Sequence, residues 1–363
     1  MNKILNFTKI IVINFAVFST ILVGTEIAGQ FIYLAKNRTF LAWKKPSLHS
    51  KVFEIHPFLA GRLKSSIFEM NSNGISITTT KSNTRWTGAS NIDGDLIRVA
   101  ILGGSTVFGT GVTDSESWPA LLQKKLGDKY AVINYGVPGY STVENIIQMA
   151  LIVPEVKPHI VIFYEGWNDI KNYHEKDLGV DYYAHGISQY SNLNIPLFEY
   201  KEKIYTLQRT FVIPLLIDKL KQTLFPPEIV KDSISGIPDF FVDDIYSRNL
   251  RTLKVLSLNI NARAVFVPQI LNYSFYSASA GSRPWTKHIK SSSMFSLMTK
   301  FNECMERAIS SEDKNCVFFD SVLKIQWKPD DFLDEGHFSL AGGIKFSDSI
   351  SVLIRNEFDG NDN

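Results

Sequence analysis

A chain of 363 residues that is 45% apolar and 20% charged can bury a sizeable core and lacks the composition of a disordered protein. Its net charge of +2, with acids and bases interspersed, gives no basic stripe of the kind nucleic-acid binding needs. Cys304 and Cys316 are too few for a disulfide scaffold or a four-ligand zinc site, so they either pair or serve as small buried hydrophobes.

The N-terminus does not read as globular. Ile10 to Thr25 carries no charge, and apolar residues continue through Ile27 and Phe31 to Leu34. Reaching the roughly 20 residues of a spanning helix requires including Glu26. Residues 1–35 are read as a single-span membrane anchor; a cleaved signal peptide and a buried amphipathic helix are the alternatives. Lys3 and Lys9 precede the run, and Lys36, Arg38, Lys44 and Lys45 follow it, so charge asymmetry does not fix its orientation. Residues 36–96 read as a juxtamembrane or accessory segment, a stalk followed by short strands or loops.

From residue 97 the pattern changes. Ile97 to Leu102 is a short apolar run ending in Gly103-Gly104, as a buried parallel strand would be. Trp118 to Leu126 has helical spacing, with Ser117 as N-cap and Pro119 in the first turn. Tyr130 to Tyr135 is a second strand. Ser141 to Val153 is a helix opened by a Ser141/Glu144 capping box. His159 to Tyr164 is a third strand. Residues 171–240, rich in Tyr, Pro and Ser, break the rhythm as an insertion. Asp243 to Ile260 (helix), Arg263 to Val267 (strand), Ser292 to Ile309 (helix), Cys316 to Asp320 (strand) and Leu340 to Phe358 (helix) complete residues 97–358. This alternation predicts an α/β fold with a parallel sheet of about five strands and helices on both faces.

Open parallel sheets place their sites beyond the carboxyl ends of the strands. Four segments fall there: Gly103-Gly104-Ser105, Gly136-Val137-Pro138-Gly139, Gly166-Trp167-Asn168-Asp169 and Asp334-Glu335-Gly336-His337. Each is weak alone; their order and shared end of the sheet make them informative together. A serine nucleophile needs a base, and His337 is the histidine that lies in such a loop beside an acid. Asp334 is spaced to hold its ring, ahead of Asp330 and Asp331. The backbone N–H groups of Ser105 and Gly139 and the amide of Asn168 are the candidate oxyanion donors. Asp169 reads as structural, Trp118 as core, and Trp167 as either packing or an aromatic wall for substrate. The other histidines read as surface or packing residues. No Gly-x-Ser-x-Gly elbow, P-loop, dinucleotide fingerprint or His-Glu-x-x-His zinc motif is present, so neither cofactor nor metal is expected.

The four blocks resemble those of the SGNH/GDSL hydrolases, a family named for a Ser, a Gly, an Asn and a His. The resemblance covers roughly residues 97–357, leaving 171–240 unmatched, with Gly104 standing where the GDSL form has Asp. It implies a flavodoxin-like three-layer α/β/α fold and metal-free ester hydrolysis. The expected function is a membrane-tethered, extracytoplasmic (periplasmic or cell-surface) serine esterase that removes a small acyl group, acetyl above all, from an envelope or secreted glycan. An O-acyltransferase, a lipase or lysophospholipase, and a catalytically silent glycan-binding assembly protein are the alternatives.

Overall fold

The computed structural model describes residues 2–43, 52–54, 56, 58–59, 61–72, 74–89, 94–173, 180–181, 210–225, 240–278, 291–309 and 314–358. The chain divides into two compact units. One comprises Met1–Ser47 with Pro196–Glu228, the other Leu48–Ile195 with Ile229–Asn363. The Tyr-rich stretch of the insertion, with Tyr182, Tyr183 and Tyr190, lies outside the described residues.

In the first unit, helix α1 (Asn2–Asn37) is long and apolar enough from Phe7 onward to cross a membrane, with a window of mean hydropathy 2.0 and none of that window buried. A further described α-helix of this unit spans Val212–Leu224.

The larger unit opens with two antiparallel pairs, β1 (Phe53–Glu54) with β2 (Arg62–Leu63), and β3 (Met70–Ser72) with β4 (Ile75–Ile77). The sheet proper is formed by β5 (Ile97–Gly103), β6 (Tyr130–Asn134), β7 (Ile160–Tyr164), β8 (Arg263–Val267) and β9 (Cys316–Phe318). All four pairings are parallel and the order is β6-β5-β7-β8-β9, which is the flavodoxin-like 2-1-3-4-5. The helices of this unit are α2 (Ser105–Phe108), α3 (Trp118–Leu126), α4 (Thr142–Leu151) and α5 (Trp167–Tyr173). After α6 of the first unit (Val212–Leu224) come α7 (Ser247–Asn259), α8 (Tyr273–Ala278), α9 (Met294–Ile309) and α10 (Leu340–Phe358).

The period-2 geometry of strands explains the layering. Val99, Ile101, Ile160, Ile162, Val265 and Val267 point to one face, where Trp118 and Leu122 of α3 and Phe346 and Ile350 of α10 cover them. Ala100, Leu102, Val161, Phe163, Ala264 and Phe266 point to the other, beneath α4, α7 and α9. Both faces are dry, so these strands are continuous apolar runs rather than alternating ones. Trp118 is core as expected, and its Nε1 donates to Thr106 O at 3.1 Å. The predicted helix over 243–260 begins instead as a π-helical turn, Phe240–Tyr246, before α7; the wider turn leaves Ile245 and Tyr246 both buried. Cys304 and Cys316 are not joined in a disulfide, and burial pushes the Cys304 thiol up to about 11, so it stays protonated.

Part of the accessory segment is built into this unit. Val52, Phe53, Leu59, Leu63 and Ile77 form a third cluster with Phe108 and Tyr140. Arg85 is fully buried and its guanidinium donates to Phe108 O (2.6 Å), Gly109 O (2.6 Å), Val112 O (2.7 Å) and Asp114 Oδ1 (3.2 Å). It thereby satisfies the carbonyls at the C-terminal end of α2, the turn that begins with Ser105. Arg85→Ala should lower unfolding free energy by about 3–5 kcal/mol, because Asp114 and three carbonyls lose their donor at once. Arg85→Lys should not recover it, lacking the planar fork. A urea midpoint shifted by the equivalent of less than about 1 kcal/mol would contradict this account.

Candidate active site

The site is assembled where β5, β6 and β7 end. Gly103 closes β5 and Ser105 is the first residue of α2, so its N–H belongs to the helical turn's unpaired donors. At the end of β6, the Asn134 side chain fixes the next turn: its Nδ2 donates to Val107 O at 2.9 Å and its Oδ1 accepts from Gly136 N at 2.9 Å. Gly139 follows in a left-handed conformation with φ +86°. After β7, Gly166 leads into α5, which carries Asn168 in its first turn.

His337 lies in a short loop pinched by a Phe332–Phe338 bridge and a Leu333 N–H to His337 O bond of 2.8 Å. Its Nε2 is 2.7 Å from Ser105 Oγ and its Nδ1 is 2.7 Å from Asp334 Oδ2. The other oxygen of Asp334 accepts the N–H groups of His337 (2.9 Å) and Gly336 (3.1 Å). Burial works to raise the Asp334 carboxyl, but these bonds and the imidazole outweigh it and hold the group below its ordinary range. An ionised Asp334 can only accept, so Nδ1 carries the hydrogen and Nε2 is left to accept from the Ser105 hydroxyl. Asp330 and Asp331 do other work. Asp330 O accepts from Ser339 Oγ, while Asp331 takes Lys345 Nζ at 2.6 Å and caps a turn at Lys328 N.

Asn168 Nδ2 donates one hydrogen to Tyr140 O at 2.8 Å. Its second amide hydrogen and the N–H groups of Ser105 and Gly139 have no acceptor among the described residues. The Asn168 amide lies directly over Gly104: a Cβ there would sit 2.3 Å from Nδ2. Any side chain at position 104 would require that amide to move. Gly336 is required in the same way, since a Cβ would fall 2.3 Å from the Trp167 ring. Trp167 therefore packs against the histidine loop.

Asp169 accepts from Thr142 N (3.2 Å) and Thr142 Oγ1 (2.7 Å), tying α5 to the start of α4. Beneath it Glu165 is fully buried beside Asp169 and Glu144; burial first, then these two acids, push its carboxyl well above the ordinary range. Asn145 Nδ2 donates to it. Asn272 was not legible as a site residue. Its amide donates to Asp334 O and its N–H to Glu335 O, both at 2.9 Å, and so it braces the histidine loop from outside. Of the other described histidines, His56 accepts from Phe58 and Leu59 N–H, and His159 from Arg98 N–H; both organise local backbone. Among the described residues no trio of His, Cys, Asp or Glu side chains is arranged to hold a metal ion.

Residues 101–223 match the GDSL-like Lipase/Acylhydrolase family. A stretch of 72 residues is 32% identical to Esterase TesA of Pseudomonas aeruginosa; the match covers 19% of this chain and 36% of that relative, so only about a third of the relative's length is spanned. Among solved structures, a protein named TesA is similar at 13% identity and a TM-score of 0.40, over 71% of this chain and 98% of that one. A catalytic mutant of Axe2, an acetylxylan esterase from Geobacillus stearothermophilus, is similar at 14% identity and a TM-score of 0.39, over 72% and 94%.

Proposed function

We propose that the chain is a serine esterase of the GDSL-like lipase/acylhydrolase kind, in which Ser105 attacks the ester carbonyl and His337 serves as base; the family match over residues 101–223 supports this reading. The observation that carries the reading is the continuous hydrogen-bonded chain from Ser105 Oγ through His337 to Asp334. As Oγ bonds to the carbonyl carbon, its proton passes to His337 Nε2 and the carbonyl electrons move onto oxygen. The N–H groups of Ser105 and Gly139 and the free amide hydrogen of Asn168 receive that charge. Collapse expels the alcohol, which takes the proton back from His337 and leaves an acyl-Ser105. Water, deprotonated by His337, then releases the acid and restores the serine.

Asn168→Ala should lower kcat by about 10²–10³ with little change in KM, because its bond tightens mainly in the transition state. A change confined to KM would make Asn168 a substrate-binding residue instead.

The substrate we propose is a short acyl ester, acetyl foremost, on an envelope or secreted glycan, with residues 1–35 as anchor and residues 97–358 as an extracytoplasmic hydrolase domain. Residues 172–192 support this, since they interleave Tyr173, Tyr182, Tyr183 and Tyr190 with amides, acids and histidines. Aromatic planes beside polar groups suit sugar faces and hydroxyls. A long-chain lipid ester is the second reading, favoured by the apolar character of 211–224. The test is acyl release by the purified full chain. We expect kcat/KM for acetylated oligosaccharide to exceed that for a long-chain ester in micelles; the reverse order would move the enzyme to the lipase class and leave the Ser105 chemistry intact.

A further inference from the structure

Helix α6 carries a feature that ester hydrolysis does not use. Ile213, Leu216, Ile217, Leu220 and Leu224 fall at spacings of three and four residues and so share one face. That face is bare: Ile217, Leu220 and Leu224 are 61%, 58% and 62% exposed. Lys219 and Lys221 are exposed off the stripe, so the helix is amphipathic rather than apolar all round.

What covers the stripe is indicated by how α6 begins. Its first N–H groups are held by Glu26 of α1: Val212 N–H meets Glu26 Oε1 at 2.8 Å and Oε2 at 2.9 Å, and Ile213 N–H meets Oε2 at 3.0 Å. These are donors that a helix start leaves unpaired, and the carboxylate also faces the positive end of the helix dipole. Gln30 Nε2 donates to Thr210 O at 2.8 Å. Between them Val212 rests on Gly29, where a Cβ would come within 2.6 Å of Val212 Cγ1. Glu26, Gly29 and Gln30 lie at i, i+3 and i+4 and form one docking face on α1. From Phe7 to Glu26 the helix rises roughly 29 Å at 1.5 Å per residue, close to the roughly 30 Å of a hydrocarbon core. When α1 spans, the dock therefore sits at the edge of the hydrocarbon, where a partnered carboxylate is tolerated. Phe31 and Trp43, 59% and 73% exposed, flank it in the manner of an interfacial aromatic belt.

We propose that α6 is an in-plane interfacial helix, its apolar stripe sunk into the acyl region of a phospholipid bilayer and its N-terminus pinned to α1 by Glu26. Re-entry into the hydrocarbon is disfavoured by Lys219 and Lys221, which need water or headgroups. The proposal rests on reading α1 as a membrane span. Its consequence is that α6, within the insertion, is a second attachment to the bilayer beyond α1 itself.

The test uses the full chain in vesicles of phosphatidylcholine and phosphatidylglycerol, on a Cys304→Ser/Cys316→Ser background. Single cysteines from Ile21→Cys, Leu220→Cys and Lys219→Cys carry an environment-sensitive NBD label. We expect blue-shifted emission quenched by doxyl lipids at positions 21 and 220, and iodide-accessible emission at 219. Adding Glu26→Ala should reduce doxyl quenching at 220 severalfold. Water-like emission at 220 with position 21 still lipid-quenched would overturn the interfacial helix and spare the span. A blue shift at 220 without doxyl quenching, which signals cover by protein, would overturn it too. Water-like emission at 21 would remove the span and the proposal with it, and an unchanged 220 signal in Glu26→Ala would overturn the pinning.

Discussion

Ser105→Ala is expected to fold normally and to lose about 10⁶-fold in kcat, since members of a nucleophile–base–acid set fail as a unit. Normal folding is expected because Ser105 Oγ bonds His337 Nε2 and no structural partner among the described residues. Alanine keeps the Cβ at the head of α2, where helix propensity favours it. Asp334 remains bonded to the imidazole and to two backbone N–H groups, so the histidine loop keeps its shape. What disappears is the atom proposed to form the acyl-enzyme. At about 1.4 kcal/mol per tenfold, 10⁶ is about 8 kcal/mol of barrier, far more than any rearrangement of a half-buried hydroxyl would explain. The measurement is kcat on a short acyl ester, alongside thermal unfolding of parent and variant. Near-normal turnover by a folded Ser105→Ala protein would remove Ser105 as nucleophile.

The parts of this molecule that were legible in its sequence are those with local signals. Ile97–Gly103, Tyr130–Asn134 and Ile160–Tyr164 are apolar runs with glycine close behind them, and a strand buried on both faces produces that pattern. The Ser141/Glu144 capping box announced α4 because both its bonds span three residues. Asp334 and His337 were found for the same reason, lying three apart in one loop. What was not legible depends on contacts distant in sequence. Arg85 is an ordinary arginine in a polar segment until the fold brings it to carbonyls 23–27 residues away. Asn272 reaches Asp334 across 62 residues, and Glu26 reaches Val212 across 186. Glu26 read as a flaw in an apolar run; its partner is a helix start that no periodicity links to it. The Asn168 amide resting on Gly104 was not legible either, because it arrives from a strand end more than 60 residues away.

Asp334→Asn should reduce kcat by about 10⁴ with the fold retained, through the tautomer of His337. The variant has two ways to sit. With Oδ1 left toward Gly336 N and His337 N, those bonds of 3.1 and 2.9 Å survive, and the new NH₂ group faces His337 Nδ1. Nδ1 must then accept, the ring hydrogen moves to Nε2, and Nε2 can no longer take the Ser105 proton. With the amide flipped, the correct tautomer returns, but the NH₂ group now opposes two backbone N–H donors. Each donor left without an acceptor costs about 1–3 kcal/mol where it is shielded from water, against one bond kept to Nδ1. The unflipped, inactive arrangement therefore wins. Asp334→Ala separates this from simple loss of charge. It imposes no tautomer, frees both loop N–H groups, and should cost more stability than Asp334→Asn without a larger loss of rate. Hydrolysis measured for both variants, with imidazole tautomers assigned by ¹⁵N chemical shift, decides the matter. An Asp334→Asn enzyme within tenfold of the parent, with the hydrogen still on Nδ1, would show that Asp334 does not set the base.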